Sequence, residues 1–445
     1  MKKVFRCVLA YILVLSVVLT FAACGSKQQE TKDTAGNTAT QTGTDKSTQG
    51  SGSESPQKVT VTWSYWGDPN EVAQHKQVGD EFRKKYPDIN IEHITAPWND
   101  YFTKMQTMFA GNSAPDVMFL TYISTYAPMG VLAEITPLCE QHNFDLGKYP
   151  QGALQGFTVG GKLYGVPRDN DTKVLFYNKK LFDESNIPYP EEGWTTEQMV
   201  EIAQKLTKTT ADGNKQYGLL FDPSNWFLWV NMNQGKYFDN DENPTKVAMD
   251  DPNTVEAIQF MGDLINKYKV TPSYDLLIDG TKRQQMFINN QAAMLVDNHA
   301  QIPTFLSSNE LQWDVAHLPV FPGKPKANVG GGAGFTIYSK TKNIDASWKL
   351  WEFLNTEGIK MYMAGGTMCP VNGDLLNSPE FLDKPYNAKV FVDETMASVS
   401  FPNNPHWWNV YSAANPFLEQ VWVGSATAGE AVKQALPELQ KEIEK

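Results

Sequence analysis

Cysteine is scarce in this chain: four residues in 445, at Cys7, Cys24, Cys139 and Cys369. Two widely separated cysteines in the body do not make a disulfide framework. Cys139 and Cys369 are therefore expected as free, buried thiols, and the fold must rest on its core. Histidine is equally sparse, six residues standing singly without HExxH or paired spacing, so no zinc site and no other metal is expected. Basic residues number 38 against 50 acidic, a net charge of -12, which argues against nucleic acid as a partner. Beyond residue 21 no apolar run approaches the about 20 residues that span a bilayer, so the body is expected to be soluble. Gly330 to Gly334 lacks the Lys-Ser/Thr of a phosphate loop and precedes a strand pattern, not a helix. No Ser/His/Asp or Cys/His arrangement and no internal repeat stands out, and no cofactor is expected.

What is present begins at the N-terminus. Lys2, Lys3 and Arg6 precede an apolar run from Val8 to Phe21, and Ala22-Ala23 stand directly before Cys24. This is the three-part layout of a cleaved signal peptide over residues 1–23; its removal takes the charge from -12 to -15. The junction resembles a bacterial lipobox, with Cys24 as the lipidated mature N-terminus and Phe21 where such boxes usually carry Leu. Two acyl chains suffice for stable membrane attachment, which places the protein on the extracellular face of the cell membrane. Residues 24–57 carry no aromatic and no aliphatic side chain larger than Ala after the cysteine. Such a segment cannot bury enough apolar surface to offset its ordering entropy, and as a tether it would hold a domain roughly 30 Å from the lipid.

The body, 58–445, is long enough for two or three domains of roughly 150 residues. Its periodicity alternates between strand and helix. Val59 to Trp63 reads as a strand, Glu71 to Tyr86 as a helix stopped by Pro87, Asn90 to Ile94 as a strand, Asn99 to Ala110 as a helix and Pro115 to Leu120 as a buried strand. That order predicts a mostly parallel sheet covered on both faces. Ligands bind beyond the carboxyl ends of strands in such sheets, where Trp66, Asp68 and Tyr122 fall. Arg168-Asp169-Asn170-Asp171 reads as a crossing between two lobes, followed by a strand to Asn178. Thr195 and Gln198 form a predicted capping box on a helix reaching Leu206. Further helices are predicted over Asp251–Lys267 and Gly280–Asn290, with a buried strand from Ala292 to Val296.

The segments VTWSYWG (59–67), APDVMFL (114–120), GVLAEITPL (130–138), LYGVPRDNDTKVLFYNKKLF (163–182), MDDPNTVEAIQFMGDLI (249–265), NNQAAMLVDN (289–298) and GGGAGFTIYSKTKN (330–343) occur together and in order. Their pattern resembles the bacterial extracellular solute-binding proteins of ATP-binding-cassette (ABC) importers, in the carbohydrate-binding group that includes maltose-binding protein. The resemblance spans essentially the whole body. It implies a periplasmic-binding-protein-like α/β fold in which two lobes, joined by crossing hinge segments, close on a sugar. It also implies permease transmembrane subunits as partners and no catalysis. The expected lobes are 58–168 with 299–343, and 169–298 with 344–445; a monomer is expected.

A sugar offers apolar C–H faces and a rim of hydroxyls, so its site needs flat aromatic platforms and acceptors. The chain has 12 tryptophans. Trp66 ends the first strand, and Trp407-Trp408 lie in a polar loop, so these are platform candidates. Trp226 and Trp229 fit a platform or a buried helix stripe equally well; Trp63, Trp313, Trp348 and Trp351 read as core. Asp171 is the first-choice carboxylate, since the maltose-binding pattern carries an acidic sugar ligand just past the crossing, with Arg168 as its expected charge partner. Asp68 resembles the family's first-strand acidic ligand or else caps a helix; Asp116 reads as structural. Asn298 and Gly332 are hinge or cleft positions, Gly332 serving either close ligand approach or a turn.

Asp239-Asn240-Asp241-Glu242-Asn243 resembles a calcium loop, but Pro244 stands where Gly is needed and Asp250 where Glu is; a solvated hairpin is expected. The reading is a carbohydrate receptor, with an oligosaccharide as ligand. Two rivals remain: a binding protein for a polyamine or a phosphorylated polyol, and a secreted glycan-cleaving enzyme.

Overall fold

The computed structural model describes residues 58–445 apart from Asp68, Asp212 and Thr367. The signal segment, Cys24, the tether and Asp68 therefore lie outside the described residues. The opening unit is β1 (Val59–Trp66), α1 (Pro69–Lys85), β2 (Ile89–Ala96), α2 (Trp98–Ala110) and β3 (Val117–Leu120). β1 is buried on both faces: Val61, Trp63 and Tyr65 on one side, Ser64 on the other. Ser64 shares a 2.8 Å hydrogen bond with the Tyr101 hydroxyl of α2, which satisfies a polar group that burial would otherwise penalise. Asp116 accepts from the Thr62 amide and hydroxyl, both at 2.8 Å, and so ties the entry of β3 to β1.

Further along come β4 (Gly165–Pro167), β5 (Lys173–Asn178), α3 (Thr196–Leu206), β6 (Lys208–Thr209), β7 (Lys215–Leu220), α4 (Trp226–Met232) and α5 (Pro252–Asn266). They are followed by β8 (Ala292–Asn298), β9 (Trp313–Ala316), β10 (Asn328–Val329), β11 (Gly334–Ile337), α6 (Ile344–Asn355) and α7 (Glu357–Ala364). The chain closes with α8 (Lys389–Met396), β12 (Ser398–Val399), α9 (Trp407–Trp422) and α10 (Ala428–Ile443). The predicted capping box forms: Gln198 N donates to Thr195 Oγ1 at 3.3 Å and Thr195 N to Gln198 Oε1 at 2.8 Å.

Two five-stranded sheets define two lobes. The first runs β2-β1-β3-β11-β4 and the second β9-β5-β8-β7-β6. β1 is parallel to β2 and β3, whereas β11 is antiparallel to both of its neighbours. The second sheet is mixed, with β7 and β8 parallel.

Pairing departs from the expected lobe boundaries in two places. β9 lies within the stretch assigned to the first lobe, yet it pairs with β5 of the second sheet. α6 and α7 lie in the stretch assigned to the second lobe, yet they pack on β11 and α1 of the first. The second crossing therefore falls after β9 rather than at 298/299, and the third after α7 rather than at 343/344. The three crossings meet: Arg168 N donates to Ala333 O at 2.8 Å, Asn170 N to Cys369 O at 3.2 Å, and Asp169 forms an antiparallel bridge with Pro370.

Trp63, Trp348 and Trp351 are fully buried as expected of core residues, while Trp313 is half-buried against Tyr386. Among the described residues no helix is long and apolar enough to cross a membrane.

Candidate functional site

A groove of about 950 Å³ runs between the two sheets, within the range of small-molecule sites. The carboxyl ends of β1 and β3, the first crossing, the end of β8 and the start of α9 all contribute to it. This is where an α/β sheet presents its ligands.

The first-lobe wall is aromatic. Trp66 stacks on Phe119 with ring centroids 4.3 Å apart and planes 27° from parallel. Trp98, at the start of α2, meets Trp66 edge-on at 4.9 Å. Tyr122 follows β3 with φ 60° and ψ 43°, a left-handed backbone rare for a bulky residue. From the other side come half-buried Trp408 and Tyr411 of α9, Phe401 before it, and buried Phe227 of α4. The Tyr411 hydroxyl donates to Ser224 O at 3.0 Å, which fixes its ring.

The floor is polar. Arg168 donates to Asp169 through Nε, at 2.8 Å, and through Nη2, and its guanidinium lies 4.3 Å from the Phe119 ring centroid. Asp171 accepts from Lys173 Nζ at 2.8 Å and from Asn298 Nδ2. Antiparallel pairing explains the second contact, because Asn298 of β8 stands opposite Lys173 of β5 and hence next to Asp171. Burial acts to lower the Lys173 pKa, but Asp171 and Asp297 outweigh it and the net shift is upward, so the ammonium stays charged. Burial raises the carboxyl pKa of Asp297.

Residues 77–389 match a family described as bacterial extracellular solute-binding protein. The chain belongs to that family. It is 24% identical over 450 residues to a galactooligosaccharide-binding protein of Bacillus subtilis, covering 98% of this chain and 96% of that one. It is 24% identical over 364 residues to a maltotriose-binding protein of Pyrococcus abyssi, covering 79% and 75%. Among solved structures, an ABC substrate-binding protein of Listeria monocytogenes in complex with cycloalternan superposes with a TM-score of 0.76. That pair is 28% identical, and the match covers 86% of this chain and 98% of that one.

In this solute-binding protein the groove gathers Trp66, Tyr122, Arg168, Asp171, Asn298 and Trp408 from the sequence-predicted set. Others fall elsewhere. Trp226 and Trp229 are 0% and 1% exposed and line no part of the groove. Phe227, about 100° further round α4, takes the groove position. Trp407 is likewise 1% exposed, packed on Tyr237 at 4.7 Å, while its neighbour Trp408 faces the groove. Adjacent residues on a helix cannot share one face. Arg168 does not partner Asp171; it pairs with Asp169 next to it, leaving Asp171 to Lys173 two positions on, the same side of an extended segment.

Gly332 answers to the hinge. A Cβ there would lie 2.3 Å from Asp169 O of the first crossing, so the close approach is chain on chain. Gly332 and Trp407 instead border a small neighbouring cavity of about 60 Å³.

Trp98, Phe227, Phe401, Tyr411 and Lys173 escaped the sequence reading. Position offered a signal for Trp98 alone, since it opens the helix after β2, another carboxyl end on the same sheet edge.

The calcium-like segment is a hairpin loop closed by the Phe238–Val247 bridge, with the Asp239 carboxylate accepting from the amides of Asn240, Thr245 and Lys246 at 3.0 Å each. Hydrogen bonds led by that from Thr245 hold its pKa down to about 2. Among the described residues no cluster of three or more His, Cys, Asp or Glu is placed to hold a metal. Cys139 and Cys369 are free and buried, and burial pushes both thiols up to about 12.

Proposed function

We propose that the protein is a lipid-anchored receptor that captures a carbohydrate, an oligosaccharide, in this groove and delivers it intact to the transmembrane subunits of an ABC permease. Residues 1–23 act as the export signal, Cys24 carries the lipid, and 24–57 hold the binding body outside the membrane as a monomer. The observation that carries the reading is the pairing of half-buried rings from both lobes with an amide and carboxylates on the floor. Rings take the C–H faces of a sugar; Asp171, Asp169 and Asn298 accept or donate to its hydroxyls. Ligand touches both lobes only when they are closed, and that differential affinity drives closure. Micromolar affinity, about -8 kcal/mol, suits capture followed by release.

The rival ligands fit less well. A phosphorylated polyol needs converging cations, and Arg168 and Lys173 are already paired. A polyamine needs carboxylates to spare, and Asp169 and Asp171 hold those same partners. For an enzyme the two carboxylates would need distinct acid and base roles; here each is bound to its own cation.

Thermal-shift and calorimetric titration against mono- and oligosaccharides test the reading, because a ligand selective for the native state raises its apparent stability. Saturable binding with the sugar recovered unchanged is the expected result. Cleaved product, or a response to polyamines or phosphates alone, would overturn it.

A further inference from the structure

Trp98 is the one aromatic among the exposed large hydrophobic side chains of the described residues, 44% exposed, and it lines the groove. Its place is fixed by packing. Pro97 precedes it in an extended conformation and starts α2, and Phe102, one helical turn on, meets the indole at 4.8 Å. Trp66, Phe102 and Tyr122 all lie steeply inclined to it, at 84°, 83° and 71°, so no neighbouring ring stacks flat on it. Trp66 differs: Phe119 lies nearly parallel against it.

An indole left this bare forgoes burial that the chain could have gained. It is also held stiffly, so a ligand that covers it has little side-chain entropy to quench. The rings packed on Trp98 are Trp66, Phe102 and Tyr122; Phe119, stacked on the far side of that set against Trp66, carries the Arg168 guanidinium, while Asp171 engages Lys173 and Asn298. The polar anchor and this open platform are thus separate places along one groove.

We propose that Trp98 is the chain-length determinant of this receptor: the floor holds one sugar unit by its hydroxyls, and the indole of Trp98 stacks a further unit of the same chain. The assignment rests on the carbohydrate reading above. It makes the ligand an uncharged oligosaccharide with an apolar ring face at its second or third unit.

The test uses the full-length protein and its Trp98→Ala and Trp98→Phe variants, titrated calorimetrically with the shortest saccharide that binds and with the next longer members of that series. Wild type is expected to bind the longer members more tightly. Trp98→Ala should lose about tenfold or more on those, the equivalent of one good contact, and stay within about twofold on the shortest. Trp98→Phe should recover most of the loss because a flat ring remains. An equal loss on every length, or no loss on any, overturns the platform while leaving the carbohydrate reading intact. Failure of wild type to bind any sugar removes that reading instead, and the platform with it. Thermal melting of both variants at the wild-type midpoint checks that the fold is unchanged.

Discussion

Tyr122 and Trp408 meet across the groove with ring centroids 4.0 Å apart and planes at 60°. One ring belongs to the turn after β3 of the first sheet, the other to α9 beside the second. Around them the same two regions are stitched by polar contacts: Ser124 Oγ donates to Asn404 O at 3.2 Å and Asn403 Nδ2 to Gln155 O at 2.9 Å. The left-handed backbone at Tyr122, φ 60°, costs about 1–3 kcal/mol for such a residue.

Tyr122→Asn keeps a residue that tolerates the left-handed backbone and deletes the ring. An aromatic pair is worth about 0.5–1.5 kcal/mol, so affinity for the bound sugar should fall about fivefold. Small-angle scattering should show the variant more open in the presence of ligand. Unchanged scattering and affinity would remove Tyr122 from the closing contact.

Asp171→Ala should abolish the ligand-induced thermal shift while the ligand-free protein stays folded. Asp171 is 39% exposed, and water screens its pair with Lys173. Asp297 and Asp222 still favour the charged ammonium, so the loss of stability should be about 1 kcal/mol. A wild-type thermal shift in this variant would take Asp171 out of the site.

Acid should weaken the fold in a way that His299 explains in part. Burial holds its pKa down to about 3, with Lys384 adding to the effect. The unfolded chain takes up this proton near pH 6.5, the folded chain only near 3. Stability from this group is therefore complete above 6.5 and is lost as pH falls, by about 1.4 kcal/mol per unit between the two values. His93, held down to about 4 chiefly by burial, adds to the same loss over 6.5 to 4. Denaturant melts between pH 7 and 4 should show a shallower slope for His299→Gln than for wild type; equal slopes would contradict the assignment.

Gly332→Ala should destabilise the hinge. The new methyl would sit 2.3 Å from Asp169 O, a backbone atom that cannot rotate away. Overpacking of this kind costs about 1–3 kcal/mol, read as a lower thermal midpoint. Sugar affinity should fall with it, since Asp169 and Arg168 move. A neutral variant would mean the crossings are slack.

Cys24→Ser should release the protein from the membrane fraction into the medium or leave it uncleaved, with sugar binding by the body unchanged. Retention of processed protein on membranes would speak against lipidation at Cys24.

Much of the architecture was legible in residue order. Alternating apolar positions marked Val59 to Trp63 as a strand, which runs on to Trp66, Pro87 marked the end of α1, and Thr195 with Gln198 marked a capped helix, because these signals are local and chemical. Carboxyl-end position and the family pattern pointed to Trp66, Tyr122 and Asp171, and all three line the groove.

The tertiary structure alone decided which face each tryptophan shows. Trp226, Trp229 and Trp407 sank into the core while Phe227 and Trp408 reached the groove. A helix is free to rotate until its neighbours lock it, and a spacing of three residues suits either rotation. Ionic partners were also left open: Arg168 had more than one carboxylate within reach along the chain, and in the folded crossing it pairs with Asp169 while Asp171 pairs with Lys173. Lobe membership of β9 and α6 followed from where the second and third crossings fall, after β9 and after α7, which no local pattern announces, because pairing between distant strands is settled by the packing of the whole molecule.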